Sequence, residues 1–300
     1  MKEVRYLKVD AFSSGPSPGN PAGVVYLGDL GDLTPEEMQR IAREQKGVVS
    51  EVVFCAPIEP GAFALRYYSS EREVGFCGHG SIACLYPLMK KDRALASLDK
   101  VTISTNRGTL PVYNDLEGSD AVYIAAPVPE FLRGDATMDE IAGGLGVLPG
   151  CLGDRSGLSL IDAGLRTLIV PMIDLADLLE ARPDISVLGE FCRRRAIDIV
   201  LVFSSETADQ ANGYRTRVFA PNFGYLEDPA TGSGNSALGY YLLRRGKWDG
   251  SPLRIEQGPS RDDPNIVRLR TAPGDGGRRV LFGGNAIVRY ERTLRLDSGH

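Results

Sequence analysis

The sequence has no apolar run approaching the roughly 18 residues that cross a bilayer, and its first residues mix polar with apolar side chains instead of forming a signal-peptide core. A helical span is excluded on that count, and the expectation is a cytoplasmic protein with no membrane partner. Positive charge is also short. Lys and Arg number 34 against 39 Asp and Glu, a net charge of −5. The basic runs Arg193 to Arg195 and Arg244 to Lys247 read as solvated helix faces or ends, so no nucleic-acid partner is expected. Cysteine is sparse and odd in number, at Cys55, Cys77, Cys84, Cys151 and Cys192. That argues against a disulfide framework and for reduced, mostly buried thiols. Histidine occurs only as His79 and His300. What remains is ordinary: 43% hydrophobic, 24% charged, a mean hydropathy of −0.13, a globular chain whose 300 residues suit one large core or two domains.

Local patterns predict an alternation of strands and helices. Arg5 to Phe12 and Ala22 to Leu27 are β-branched runs that bracket a Gly/Pro/Ser stretch. Thr34 opens a helix, with Pro35 at its first position and Glu37 completing a capping box ahead of Met38, Ile41 and Ala42. Strands follow at Ser50 to Ala56 and Phe63 to Ser69. The next helix starts within Gly78 to Ser81 and runs to Lys90. It is apolar on nearly every face, which predicts that it is buried. Further strands are expected at Val101 to Thr105, Gly108 to Tyr113 and Ala121 to Ala126.

The second half repeats this order. Glu227 to Leu242 aligns without gaps on Glu73 to Leu88, with Glu227, Gly232, Gly234, Ala237, Tyr240 and Leu242 matching Glu73, Gly78, Gly80, Ala83, Tyr86 and Leu88. Leu158 to Ala163 likewise echoes the first strand, and Arg215 to Ala220 echoes Leu65 to Ser69. An internal duplication accounts for this, each half wrapping strands around one buried helix.

The two most glycine-punctuated turns, Cys77-Gly-His-Gly-Ser81 and Asp228-Pro-Ala-Thr-Gly-Ser-Gly234, begin the two repeated helices. Such turns serve either as tight strand-to-helix connections or as binding sites, because helix starts expose unpaired amides and a positive dipole end that suit a carboxylate or enolate. A P-loop is not indicated, since Thr231-Gly-Ser-Gly continues as Asn235-Ser236 without the required lysine. His79, in the first turn, is suited to hold or exchange a proton. Cys77, His79 and Cys84 lack a fourth metal ligand and the helix turns Cys84 elsewhere, so no metal is expected. A two-thiol racemase is disfavoured because Thr231 occupies the place opposite Cys77. Glu51 leads the apolar strand Val52 to Ala56. It is either a surface strand end or a partly desolvated acid suited to pass a proton, and its local sequence leaves both open.

Together these motifs resemble the PhzF-like phenazine-biosynthesis family within the diaminopimelate epimerase superfamily. The resemblance runs through Val9-Asp10-Ala11-Phe12, Gly19-Asn20-Pro21-Ala22-Gly23-Val24, Ile41 to Glu44, Ser50-Glu51, Glu73 to His79, Arg217 to Pro221, Glu227 to Ser233 and Glu256-Gln257-Gly258. It implies an α+β fold of two similar domains, each a barrel-like, mostly antiparallel sheet around a central helix. The domains would be residues 1–116 with a C-terminal strand at about 285–300, and residues 117–284, with the active site in the cleft between them. It further implies a cofactor-independent isomerase of a small carboxylate-bearing metabolite, acting as a homodimer. Glu51 would be its acid and base. His79, Asp228 and Ser233 would assist, and Gly78, Gly80, Ser81, Gly232, Gly234 and Asn20 would bind substrate. The sequence departs from the family pattern at Gly80 and Gly234, which resemble the epimerase branch and are expected to widen the cleft floor, and at Val52-Val53. Two alternatives stand beside this: an epimerase or dehydratase using Cys77 with Thr231 opposite, and a binding protein without turnover.

Overall fold

The computed structural model describes residues 2–274 and 277–296; His300 and the end of the strand expected at about 285–300 lie outside the described residues. The chain forms two compact units, one made of the described parts of Met1–Ser13, Pro18–Ala125 and Gly283–His300, the other of Ser14–Ser17 and Ala126–Phe282. Among the described residues no helix is long and apolar enough to cross a membrane.

The first unit begins with β1 (Lys2–Ala11), β2 (Asn20–Tyr26), α1 (Pro35–Glu44), β3 (Glu51–Glu59), β4 (Ala62–Ser69) and β5 (Glu73–Val74). It continues with α2 (Gly78–Lys91), the short α3 (Arg93–Ala96), β6 (Lys100–Thr105), β7 (Gly108–Asp115), the short α4 (Leu116–Ser119) and β8 (Ala121–Ala125). β8 pairs with β7 and therefore belongs here, although the sequence suggests a division at residue 116. A late strand, Ala286–Leu296, pairs antiparallel with the full length of β1. Pairing then runs through β2, β3, β4, β6, β7 and β8. α2 touches the late strand, β1, β2, β3 and β8, so both ends of this row meet the same helix and the sheet curls around it. Its near-uniform apolarity is explained by that position: Ile82, Ala83, Cys84, Leu85 and Met89 are fully buried.

On the outside of this sheet, α1 carries the predicted capping box between Thr34 and Glu37 and the predicted Pro35 at its first position. Its apolar face, Met38, Ile41 and Ala42, packs on Tyr6, Val25, Val52, Phe54 and Tyr68. Each side chain of Ile41's size buried this way contributes about 1.5–3 kcal/mol.

The second unit comprises β9 (Glu130–Leu132), α5 (Met138–Leu145), β10 (Ser159–Asp162), β11 (Arg166–Pro171), α6 (Leu175–Glu180), α7 (Ile185–Arg194) and β12 (Ile199–Ser204). It goes on through β13 (Tyr214–Phe219), β14 (Glu227–Asp228), α8 (Gly232–Arg244), β15 (Leu253–Gln257), β16 (Asn265–Gly274) and most of β17 (Gly277–Gly284). The late strand Ala286–Leu296 is then β18. From β9 to β16 the pair orientations are antiparallel, antiparallel, parallel, antiparallel, parallel, antiparallel. The row from β18 to β7 has the same series. α8 packs on β10, β11, β12 and β16 as α2 packs on its own strands. The duplication read from Glu73 to Leu88 and Glu227 to Leu242 is thus a repeat of whole topology.

Candidate active site

In the first unit the candidate residues meet at the start of α2. Cys77 is the N-cap of that helix, in extended backbone, and its Sγ accepts from the amide of Gly80 at 3.3 Å. Ser81 donates to the carbonyl of Cys77 at 2.7 Å, and its backbone amide bonds the same carbonyl. Helix geometry then leaves the Gly78 and His79 amides as the unengaged donors of the first turn. β3 lies parallel to β2 with Ala22 opposite Glu51, which sets the carboxylate at the same end of the sheet as the helix start. The His79 ring spans the two: its Nε2 is 3.3 Å from Oε2 of Glu51 and 3.2 Å from Oγ of Ser50, while its Nδ1 is 3.4 Å from Sγ of Cys77. The Glu51 side chain is 18% exposed and that of His79 is 13% exposed. Glu51 is thus half-buried and not an exposed strand end. Cys84, as expected from the helix turn, points elsewhere and is fully buried, its thiol pushed up well above the ordinary value by burial and by contact with Cys55.

Two expectations need revision. Ser81 is fully buried, and its hydroxyl is shared between the Cys77 carbonyl and the Tyr67 hydroxyl, 2.7 Å away, so it braces the helix start from inside. Burial also holds the Tyr67 phenol well above its ordinary range. Gly80 does not widen a floor. A Cβ there would stand 2.8 Å from Cγ2 of Val53 and 3.0 Å from Sγ of Cys77, so its lack of a side chain lets α2 start hard against β3. Gly234 is similarly packed, with Ile199 and the Thr231 methyl each 3.3 Å from where its Cβ would be. Asn20 is buried at the first position of β2, opposite Ala11.

In the second unit the equivalent helix start is built differently. Thr231 is the N-cap of α8, but its side chain makes no capping bond and instead donates to the carboxylate of Asp228. The end is pinned by Gln257, buried on β15. Its Oε1 accepts from the Thr231 amide at 2.9 Å and from Asn235 at 2.7 Å, and its Nε2 donates to the Asp228 carbonyl at 2.8 Å and to Oγ1 of Thr231 at 3.0 Å. Ser233, the second residue of α8, is half-buried. A Cβ at Gly232 would lie 2.4 Å from the Phe282 ring. The sequence flagged Gln257 only as part of Glu256-Gln257-Gly258 and gave it no role; its position across from Thr216 in the parallel β13–β15 pair is what aims it at the helix start.

The first unit thus sets an acid, an imidazole and a thiol together at a buried helix start, and comparison with known proteins supplies the class. The chain belongs to the phenazine biosynthesis-like (PhzC-PhzF) family, whose model it matches over residues 9–292. It is 31% identical to a trans-2,3-dihydro-3-hydroxyanthranilate isomerase of Pseudomonas fluorescens, covering 97% of this chain and 99% of that one. It is 30% identical to an uncharacterized isomerase of Bacillus subtilis, over 99% and 100% of the two chains. Among solved structures, a Bacillus anthracis phenazine biosynthesis protein of the PhzF family superposes with a TM-score of 0.84 at 26% identity, over 99% and 100%. The chain is accordingly an isomerase.

Proposed function

We propose that this isomerase moves a proton on a small carboxylate-bearing metabolite, with Glu51 as the acid and base and no bound cofactor. The observation that carries the reading is the 3.3 Å separation of Glu51 Oε2 and His79 Nε2 in a half-buried setting. A carboxylate in hydrogen-bond reach of an imidazole can take a proton from carbon, share it and return it nearby. The Gly78 and His79 amides at the start of α2, and the dipole ends at the starts of α2 and α8, suit a substrate carboxylate and the charge that delocalises from it. Asp228 and Ser233 are assigned to orienting the substrate. The reading assigns both helix starts to one substrate, in a cytoplasmic homodimer. The name of the Pseudomonas relative supplies the first substrate to try.

The test is incubation with trans-2,3-dihydro-3-hydroxyanthranilate in deuterated water, followed by mass spectrometry. Wild-type protein should incorporate solvent deuterium into product, and Glu51→Gln should not. Exchange by Glu51→Gln at the wild-type rate would sink the assignment.

A second reading draws on the contact of Cys77 Sγ with His79 Nδ1 at 3.4 Å: a thiol beside a base is the arrangement of a cysteine-dependent epimerase or dehydratase, with Thr231 opposite. There, Cys77→Ala loses exchange and Glu51→Gln keeps it.

A further inference from the structure

Glu51, Cys77 and His79 combine three donor types, carboxylate, thiol and imidazole, whose ligating atoms all lie within 4.8 Å of one another. Their spacing is specific. Zinc bonds sulfur at about 2.3 Å and nitrogen or oxygen at about 2.0–2.2 Å, so two donors at a tetrahedral angle stand about 3.3–3.6 Å apart. Nε2 of His79 is 3.3 Å from Oε2 of Glu51 and 3.8 Å from Sγ of Cys77, and Sγ is 3.9 Å from Oε2. One edge of the triangle already fits. The other two need the sulfur to approach by a few tenths of an ångström, within reach of a side-chain rotation.

The sequence hid this set because its spacing offered Cys84 as the third donor, which the helix buries on another face. Glu51 comes instead from a different element, β3. Its 18% and His79's 13% exposure leave the group reachable from solvent.

We infer that Glu51, Cys77 and His79 form a three-ligand site for a zinc-like divalent cation. Binding releases the Cys77 thiol proton to solvent and joins thiolate, neutral imidazole and carboxylate to the metal, with water in the fourth position. On the reading of Glu51 as the proton carrier, a bound cation ties up the carboxylate and silences the isomerase. The site is therefore inhibitory, a point where metal excess or a thiol-poor, metal-rich compartment shuts the enzyme down.

The experiment uses the full chain, reduced and passed over a chelating resin, titrated with zinc chloride against a chromophoric chelator. One zinc per chain is expected. Cys77→Ser and His79→Ala should each weaken it by at least about 100-fold, since even the outer partners of zinc ligands are worth 10- to 100-fold. Cys151→Ala, which removes a thiol that is not part of the cluster, should bind as wild type does. Cobalt supplies a readout independent of folding: its thiolate-to-metal charge-transfer band should appear with wild type, need a higher cobalt concentration in Glu51→Gln, and vanish in Cys77→Ser. Absence of stoichiometric zinc, or undiminished zinc in Cys77→Ser, overturns the site. Zinc bound at the cluster with turnover unimpaired leaves the site standing and removes Glu51 from the reaction, so the two claims fail separately.

Discussion

Glu51 and His79 meet at 3.3 Å, Oε2 to Nε2, although one begins a strand and the other stands in the first turn of a helix 28 residues later in the chain. The ring has two further neighbours, Oγ of Ser50 at 3.2 Å from Nε2 and Sγ of Cys77 at 3.4 Å from Nδ1.

The first prediction concerns that pair. Glu51→Gln keeps the size and the hydrogen-bonding capacity of the side chain while removing its ability to take a proton, so kcat should fall by about 10²- to 10⁴-fold, the usual worth of a positioned acid or base. Circular dichroism should be unchanged. A loss smaller than 10-fold speaks against the assignment.

The second concerns Gln257, which satisfies the amide of Thr231 and the side chain of Asn235 with one oxygen. Gln257→Leu leaves the buried Thr231 N–H without an acceptor, at a cost of about 1–3 kcal/mol. Urea denaturation measures it. Because the same change frees the start of α8, activity should fall with stability, and a stable but inactive variant would point to a further role for this amide.

How much of this was legible beforehand depends on range. The capping box at Thr34 and Glu37 and the gapless match of Glu73 to Leu88 with Glu227 to Leu242 are local patterns, and both stand in the structure. The two helix starts were visible for the same reason, in their glycines. What local pattern could not give is set by register. Glu51 reaches His79 only because β3 lies beside β2 with Ala22 opposite Glu51, and because Gly80 lets α2 approach Val53. Ser81 shows the converse: its place in a glycine-rich turn suggested a ligand contact, whereas the fold turns its hydroxyl inward to Tyr67.

The third prediction addresses Arg215 and Glu256, whose side chains are both fully buried and 3.0 Å apart. Glu256 also accepts from the amides of Ala208 and Asp209 and from Asn212. Arg215→Met leaves that carboxylate uncompensated, and removing one partner of a buried pair costs about 3–5 kcal/mol. The corresponding double variant with Glu256→Leu should recover part of the loss, as thermal unfolding will show.

The fourth is a pH dependence. Glu140 accepts from the backbone amide of Thr137 and pairs with Arg195, and these hold its carboxyl down at about 2. A depressed folded value contributes stability that is present above the ordinary carboxyl range and disappears as pH falls through the folded value. The advantage of wild type over Glu140→Gln should therefore be full at pH 7, shrink below about 4.5 and vanish near 2. Salt should reduce it, because the pair is partly solvent-facing. A gap that is constant with pH would assign the effect to the capping geometry alone.

β18 belongs to the first unit yet is synthesised only after every residue of the second. A nascent chain thus holds β1 with one edge bare across its ten residues while the later unit, nearly continuous in sequence, has everything it needs. The order of folding during translation is then inverted relative to the order of the chain: the second unit matures first, and the first waits, its edge open to pairing with other nascent chains, until residues 286–296 clear the ribosome. Ribosome stalling or truncation upstream of Ala286 should consequently yield an aggregating product in which only the second unit resists protease.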